Sequence, residues 1–382
     1  MSTIAHMDPS HDTSRYTVGW IAPLPLELTA AVGMLEDPTT MEVPDDDVLY
    51  HVGRIGSHFV VMVVCPCMGI EPAATALANM RRSFPNIKHI LVVGIAGGMP
   101  CYGPDLQEQI VLGDVVVGVP QQGRGSMTHY EFGAWEGQNE LTIKEHTLHP
   151  SAALLTAVNN LRSVHMQVTG SKIPRYLEEL RRGLNERSRQ AYEDPGAEYD
   201  HLFEDSYLHT DRGRFCQGLC DATRAKLRKS RGKRAERKSD QPHIHYSNIG
   251  SASAVVRSSV KRNELYARHN IICLEMEATG VMSDYQGLQG YTVATAAAYA
   301  KELLLLLPAG GGSSIESSLP DKRNGIRGDG WYVGRDQFHN SGGGFINFNM
   351  GAGYQTNNNT AGNQYNGPFY RHPSAIPQWP RY

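Results

Sequence analysis

The chain has 382 residues, of which 40% are hydrophobic and 20% are charged, and its formal net charge at pH 7 is −3. This length accommodates one large α/β domain with appendages, so a second full domain is not required. The near-neutral charge gives no overall field that would recruit nucleic acid or an anionic membrane, and we expect neither as a partner. The 39 glycines and 21 prolines indicate that part of the chain does not pack.

The cysteines and the N-terminal residues indicate the cellular compartment of the protein. Six cysteines are spread sparsely along the chain, and residues 1–20 lack the basic and apolar stretches of a secretory signal. We therefore predict a cytoplasmic protein, with nuclear localisation through the basic run 224–238 as the alternative. Cys216 and Cys220 could contribute to a zinc site, but the histidines available to complete it are irregularly spaced, and we expect neither a metal nor a cofactor.

Strand and helix patterns alternate along most of the chain. Short apolar runs rich in β-branched residues predict strands, and runs rich in alanine and leucine predict helices. In chain order, these are strand 16–22, a helix entered through Pro25, strands 48–58 and 59–66, helix 68–84, strands 89–99 and 110–120, helix 151–164, strands 243–256 and 271–274, and helix 291–307. A continuous apolar run such as Ile90–Val93 is typical of a strand covered by helices on both faces, so the pattern predicts an α/β fold.

Composition divides the chain into regions. We predict a disordered N-terminus over residues 1–15, a folded domain over residues 16–308 and a low-complexity tail over residues 309–382. Within the domain, the charged interval 171–242 is predicted to be an insertion on the body. The tail consists largely of Gly, Asn, Ser and Gln with interspersed aromatic residues, a composition too polar to build a core. We expect it to be disordered in isolation and detachable from the fold.

Two stretches at predicted strand ends could contact a ligand. Val93–Gly98 places small residues directly after a buried strand, where a ring or a ribose could approach the backbone; a tight turn is the alternative. Glu275 and Glu277 follow the apolar run 271–274. A carboxylate there can accept two hydrogen bonds from the vicinal diol of a ribose, and a helix cap is the alternative.

Glu27 is the candidate general base. It follows the first predicted strand, in a stretch with no other charge between Arg15 and Glu36. A carboxylate in a dry pocket has a raised pKa and can accept a proton from water. The alternative is an ordinary glutamate in the first turn of a helix, where the helix dipole favours it.

Eight ordered stretches together resemble the purine nucleoside phosphorylase and uridine phosphorylase superfamily. The resemblance is to its fungal form, which is related to the methylthioadenosine/adenosylhomocysteine nucleosidases, and it runs from about Tyr16 to Leu307. The stretches are GWIAPLPLELTAA, CMGIEPAATALANM, FPNIKHILVVGIAGGMP, LGDVVVGVP, THYEFG, IHYSNIGSASAVV, NIICLEMEATGVM and ATAAAYAKELL.

The resemblance implies a three-layer α/β/α domain with a central mixed sheet, homo-oligomeric assembly and cleavage of the N-glycosidic bond of a purine-type nucleoside or nucleotide. It also implies roles for particular residues. Glu27 would activate water, Met276 and Glu277 would hold the ribose, Ala96 and Gly97 would lie beside the base and sugar, and the stretch from Ser251 to Val255 would flank the base.

The same resemblance favours water over phosphate as the nucleophile. Phosphorolysis needs a cationic anion site, and the phosphorylase branch places arginines in the first loop and just before the glycine-rich turn. Here the first loop, 22–27, has no arginine, and Val92 stands at the second position. Hydrolysis is therefore the better fit.

One departure leaves two functions open. After the stretch that contains Glu277, the family continues with a strand that bears an aspartate, and this aspartate assists departure of the purine. Here Gly280–Tyr285 is followed almost directly by Gln289–Tyr291 and the last predicted helix. Without a general acid the reaction loses about 10²- to 10⁴-fold in rate. The alternatives are an N-glycosidase and a non-catalytic nucleotide-sensing or signalling protein with an assembly-prone tail. An error in the gene model across this junction is a further explanation.

The tail contains the pattern on which the second function depends. Phe345–Asn349 alternates apolar residues with amides, and such segments can stack into ladders between chains. Two near-repeats, 334–340 and 362–367, are similar to the short amyloid-signalling motifs of fungal death-related receptor systems. A flexible linker is the alternative.

Overall fold

The structure is a computed structural model, and it describes much of the predicted domain and one short piece of the tail. The described residues are 12–67, 69–100, 102, 109–121, 125–131, 133–136, 140–143, 150–167, 170–196, 202–205, 207, 220–224, 242–252, 256, 258–275, 286–309 and 344–348.

Strands and helices alternate through the described residues. The strands are β1 Val18–Ala22, β2 Glu36–Glu42, β3 Leu49–Ile55, β4 His58–Val64, β5 His89–Val93, β6 Ala96–Gly98, β7 Val115–Gly118, β8 Met127–His129, β9 Gly133–Glu136, β10 Glu140–Ile143, β11 Ile244–Ser251, β12 Ile271–Glu275 and β13 Gly344–Phe348. The helices are α1 Pro25–Val32, α2 Ile70–Ser83, α3 Ala152–His165, α4 Ile173–Gly183, α5 Glu186–Ala191, α6 Ser259–His269 and α7 Gln286–Leu306.

Two mixed sheets form the centre of the fold. The first has the strand order β13-β5-β1-β4-β3-β2. Strands β13, β5, β1 and β4 are parallel, β3 runs antiparallel to β4, and β2 runs antiparallel to β3. The second has the order β6-β12-β11-β7, with β8 also paired to β11, and only β6 runs antiparallel to its neighbour. The chain crosses from the first sheet to the second between β5 and β6, through Gly94 and Ile95.

Helices cover both faces of the first sheet. Successive side chains of a strand point to opposite faces. On β1, Val18 and Trp20 pack in a buried cluster with residues of α1, α3, α4 and α7, whereas Ile21 packs in a second cluster with residues of α2. The predicted α/β class, with a mixed sheet between helical layers, is confirmed.

Three elements differ from the sequence-based expectation. β2 was not predicted, because most of its residues are exposed and it contains Pro38, which a sheet tolerates at an edge. The glycine-rich turn after β5 contains a short strand, β6, that pairs with β12. In the interval predicted to be an insertion, α4 buries Ile173 and Leu177 in the main core. The beginning of that interval is thus part of the folded body.

The tail contributes one described element. Gly344–Phe348 forms β13, which pairs in parallel with β5. The expectation that the tail lies outside the fold therefore does not extend to these five residues. Phe, Ile and Phe in this short run favour extended structure, and β5 offers them an edge to pair with.

Candidate functional site

Glu27 lies in the first turn of α1, directly after the loop that leaves β1, and it is only 2% exposed. Its Oε2 accepts the N–H of Leu24 at 2.8 Å, which caps the start of the helix. Its Oε1 accepts the N–H of Ile95 at 2.8 Å, in the crossing between the two sheets. Glu27 is thus a first-turn glutamate, as the simpler interpretation held, and its carboxylate also caps the helix and binds the crossing between the sheets.

Burial changes the protonation of this carboxyl group. Desolvation raises the pKa of Glu27 to about 8, and the hydrogen bonds from the Ile95 and Leu24 N–H groups only partly oppose it. Both opposing contacts are backbone dipoles rather than cationic side chains. The predicted dry environment with a raised pKa is therefore present at Glu27.

Gly94 makes room for the Glu27 carboxylate. A Cβ at this position would lie 2.7 Å from Oε1 of Glu27, closer than real Cβ atoms approach other atoms. Part of the glycine-rich pattern is thus explained by close approach of a side chain within the protein. Gly98 has a different reason, since a Cβ there would meet the Ile110 side chain at 2.5 Å.

Four residues on neighbouring strands form a row across the second sheet, next to Ile95, where the chain passes from the first sheet to the second. Ala96 on β6 pairs with Glu275 on β12, Glu275 pairs with Ser251 on β11, and Ser251 pairs with His129 on β8. We call these four residues the strand-end row. Because Ala96 follows Ile95 directly, one end of the row lies beside the backbone that binds Glu27.

The middle of the strand-end row is polar and buried. Glu275 is 0% exposed and Ser251 is 1% exposed. Among the described residues, the Ser251 Oγ has no hydrogen-bond partner. Buried polar groups are normally paired, so a buried hydroxyl without a protein partner is available to a ligand or a water molecule.

The structure brings together part of the predicted site. Glu27 binds the N–H of Ile95, which directly precedes Ala96 and Gly97 on β6, and Ser251 lies two strands away in the same row as Ala96. The other predicted binding residues, Val255, Met276 and Glu277, lie outside the described residues.

Sequence reasoning missed two contributors to this region and did not distinguish a third, Glu275, from its neighbour Glu277. Glu275 was grouped with Glu277, and the strand register places Glu275 itself in the row. His129 stands at the other end of the row, but no pattern in the sequence distinguishes it from an ordinary strand residue. The Ile95 N–H carries no side-chain signal at all.

Tyr192 supports the loop that carries Glu27. Its hydroxyl donates to the carbonyl of Leu26 at 2.8 Å, and its side chain is buried in the main core. Burial raises the pKa of Tyr192 to about 12, so the hydroxyl stays protonated and remains a donor. A residue from the charged interval thus positions the residue next to the candidate base.

A second polar cluster lies at the opposite ends of β7 and β11. Asp114 accepts the N–H of Val111 at 3.0 Å and the N–H of His243 at 2.9 Å, and it contacts Nε2 of His245 at 3.1 Å. Nδ1 of His245 is 2.7 Å from the Tyr102 hydroxyl. Strands β7 and β11 run in parallel away from this cluster, so the cluster is separate from the strand-end row. Its hydrogen bonds link the first residues of the two strands.

Comparisons with known proteins give one sequence relative and a group of similar folds. No family model matches the chain. It is 33% identical over 319 residues to a nucleotide-binding leucine-rich repeat (NLR)-like protein of Hyaloscypha variabilis. The alignment covers 78% of this chain and 30% of the relative, so the chain spans about a third of the relative's length.

The similar solved structures are bacterial nucleosidases and a related hydrolase. They include a Neisseria meningitidis 5′-methylthioadenosine/S-adenosylhomocysteine nucleosidase with methylthio-immucillin-A (14% identity, TM-score 0.42, 75% of this chain and 98% of that one). A Streptococcus pyogenes S-adenosylhomocysteine nucleosidase has 12% identity and TM-score 0.45, covering 77% and 98%. Helicobacter pylori futalosine hydrolase has 9% identity and TM-score 0.43, covering 76% and 97%.

Among the described helices, none combines the length and the apolar character needed to cross a bilayer.

Proposed function

We propose that this domain binds a purine-type nucleoside or nucleotide at the strand-end row and cleaves its N-glycosidic bond by hydrolysis. Glu27 is the observation that carries the proposal, because a buried carboxyl group with a pKa of about 8 lies where the two sheets meet. Enzymes adjust general bases in this way so that their pKa lies near the working pH.

Glu27 acts as the base that takes a proton from the attacking water. With a pKa of about 8, about one tenth of the groups are ionised at pH 7 and about nine tenths at pH 9. The N–H groups of Leu24 and Ile95 hold the two carboxylate oxygens in place, so little reorganisation is needed before proton transfer.

The remaining roles come from the family resemblance and the row. Glu277 accepts hydrogen bonds from the ribose hydroxyls, and Met276 packs beneath the ribose. Ala96 and Gly97 lie beside the base and sugar, and Ser251 to Val255 flank the base. The buried Ser251 hydroxyl, without a partner among the described residues, supports a polar contact to the ligand at the row.

Hydrolysis is preferred to phosphorolysis because of what surrounds Glu27. Its described hydrogen-bond donors are two backbone N–H groups, and the loop 22–27 contains no arginine. A phosphate nucleophile would bring at least one full negative charge next to this carboxylate, and such a site needs cationic side chains.

The test uses the purified full chain with adenosine, inosine, methylthioadenosine and ATP, each with and without inorganic phosphate. Chromatography of the free base is the measurement. We expect base release in the absence of phosphate. Release that strictly requires phosphate would contradict the hydrolytic mechanism, and the appearance of ribose 1-phosphate would identify phosphorolysis.

A second function is favoured by the sequence relative. The Hyaloscypha protein is described as nucleotide-binding and NLR-like, and this chain corresponds to only 30% of it. The departure of the sequence from the family pattern after Met282 points the same way. In this alternative the domain binds a nucleotide without turnover, and its assembly-prone tail transmits the bound state. Calorimetric binding of a nucleoside together with no free base after prolonged incubation would support it over the first.

A further inference from the structure

β13 lies between the end strands of the two sheets. It pairs in parallel with β5, so that Gly344 is opposite His89 and Phe348 is opposite Val93. On its other side it lies against β7, the end strand of the second sheet, and it also contacts α3. A piece of the tail therefore occupies a position inside the folded body.

This position is one that the fold needs to fill. Ile90–Val93 of β5 and Val115–Val117 of β7 are all between 0% and 4% exposed. Since neighbouring strands lie about 4.8 Å apart, an empty position would leave a gap of about 10 Å between β5 and β7. The backbone N–H and C=O groups on that edge of β5 would then face apolar side chains, which costs free energy unless a strand pairs with them.

The composition of β13 and the length of the chain that connects it to α7 both suit this position. Phe345, Ile346 and Phe348 are residue types that favour strands, whereas the surrounding tail is rich in glycine and asparagine. The residues 310–343 connect α7 to β13, and the entropic cost of closing a loop grows only slowly with its length. A distant segment of the same chain can therefore dock at a moderate cost.

We propose that the space between β5 and β7 is a strand-docking slot whose occupant is the chain's own segment Gly344–Phe348. Docking in the same molecule completes the sheet. It also withdraws this segment from pairing between molecules, because the residues that bind β5 are those whose alternation of apolar side chains and amides predicts ladders between chains. Docking within the molecule and assembly between molecules therefore compete for the same segment.

Hydrogen exchange of the full chain tests the occupancy. We expect the amides of Phe345–Phe348 to exchange at least about 100-fold more slowly than in an unstructured peptide. Protection should be the same across a 100-fold dilution of the protein, because the segment docks in its own molecule. Exchange at the unstructured rate would overturn the proposal, and protection that disappears on dilution would assign the slot to a second copy instead.

A proline substitution tests the energetic consequence. Ile346→Pro removes a backbone N–H and restricts φ in the docked strand, and Thr360→Pro makes the same change outside β13. Ile346→Pro should lower the Tm of the full chain by about 5 °C and remove the protection of residues 345–348, whereas Thr360→Pro should shift the Tm by less than about 1 °C. Equal effects of the two prolines would contradict the slot. Neither readout depends on a ligand, so a failure here is distinct from a failure of the proposed function.

Discussion

The carboxylate of Glu27 accepts the backbone N–H of Ile95 at 2.8 Å, across 68 residues of sequence. This hydrogen bond joins the first turn of α1 to the point where the chain leaves the first sheet for the second. The next residue, Ala96, begins the strand-end row. The candidate base and the polar row are therefore connected through two consecutive residues, and changes at the crossing are expected to affect both.

Gly94→Ala should displace the candidate base. The added Cβ would lie 2.7 Å from Oε1 of Glu27, so the carboxylate must shift away from Ile95. We expect a loss of about 1–3 kcal/mol in the free energy of unfolding and a fall in base release. Chemical denaturation and the base-release assay measure the two effects. Gly183→Ala is the control, since nothing lies within 4 Å of its added Cβ.

A second substitution makes the first more informative. Glu27→Asp shortens the side chain and should relieve the clash in the Gly94→Ala background, so the double variant is expected to be more stable than the two single effects predict by addition. Strict additivity would show that Gly94 and Glu27 do not interact.

The protonation of Glu27 should make stability depend on pH. Its pKa is about 8 in the folded protein, against the ordinary value of 4.5. Between these values the unfolded chain loses the proton while the folded protein retains it. Stability from this group is therefore fully present below about pH 4.5, decreases as the pH rises, and is lost by the time the pH passes about 8.

Glu27→Gln should remove this contribution. We expect the stability difference between the variant and the wild type to change in favour of the variant between pH 5 and pH 9, by a few kcal/mol in order of magnitude. Urea unfolding at several pH values measures it. Parallel curves for the two proteins over this range would show that the pKa of Glu27 is not raised.

Tyr192→Phe should affect the candidate site more than the fold. It removes the 2.8 Å hydrogen bond to the Leu26 carbonyl but keeps the ring in the core. We expect a loss of about 1 kcal/mol in stability and a decrease in base release that exceeds this structural effect, because the loop before Glu27 becomes less fixed. If the release rate is unchanged, Tyr192 does not position the base.

Asp114→Asn should destabilise the fold without involving the strand-end row. The carboxylate serves two backbone N–H groups and His245, and an amide cannot accept from all of them. We expect a loss of about 2–4 kcal/mol, measured by denaturant unfolding, whereas Asp47→Asn at an exposed position should be nearly neutral. A loss below about 1 kcal/mol would mean that the cluster does not fasten β7 to β11.

Much of the first sheet could be predicted from the sequence, because continuous hydrophobic runs such as Ile90–Val93 are typical of strands that are covered on both faces. The environment of Glu27 was also predictable from the lack of nearby charge. The Ile95 N–H was not, since a backbone donor leaves no trace in the side-chain pattern. β6 was hidden for a related reason: glycine has low strand propensity, and only the pairing with β12 makes Ala96–Gly98 a strand.

Two tertiary contacts could not be predicted from composition. The charges around α4 dominate the interval 171–242, yet one face of this helix is apolar and packs in the core. The segment Gly344–Phe348 is surrounded by glycine and asparagine in the sequence, and its place in the fold becomes evident only from its pairing with β5.

The pH dependence of base release by the wild type and by Glu27→Gln tests the central claim most directly. The full chain would be assayed with saturating nucleoside, without phosphate, at pH 7 and pH 9. If ionised Glu27 activates water, the wild-type rate should rise about tenfold, following the ionised fraction of a group with a pKa of about 8, and the variant should retain about 1% of the activity or less at both pH values. A variant that releases base at the wild-type rate, with the same dependence on pH, would contradict the account.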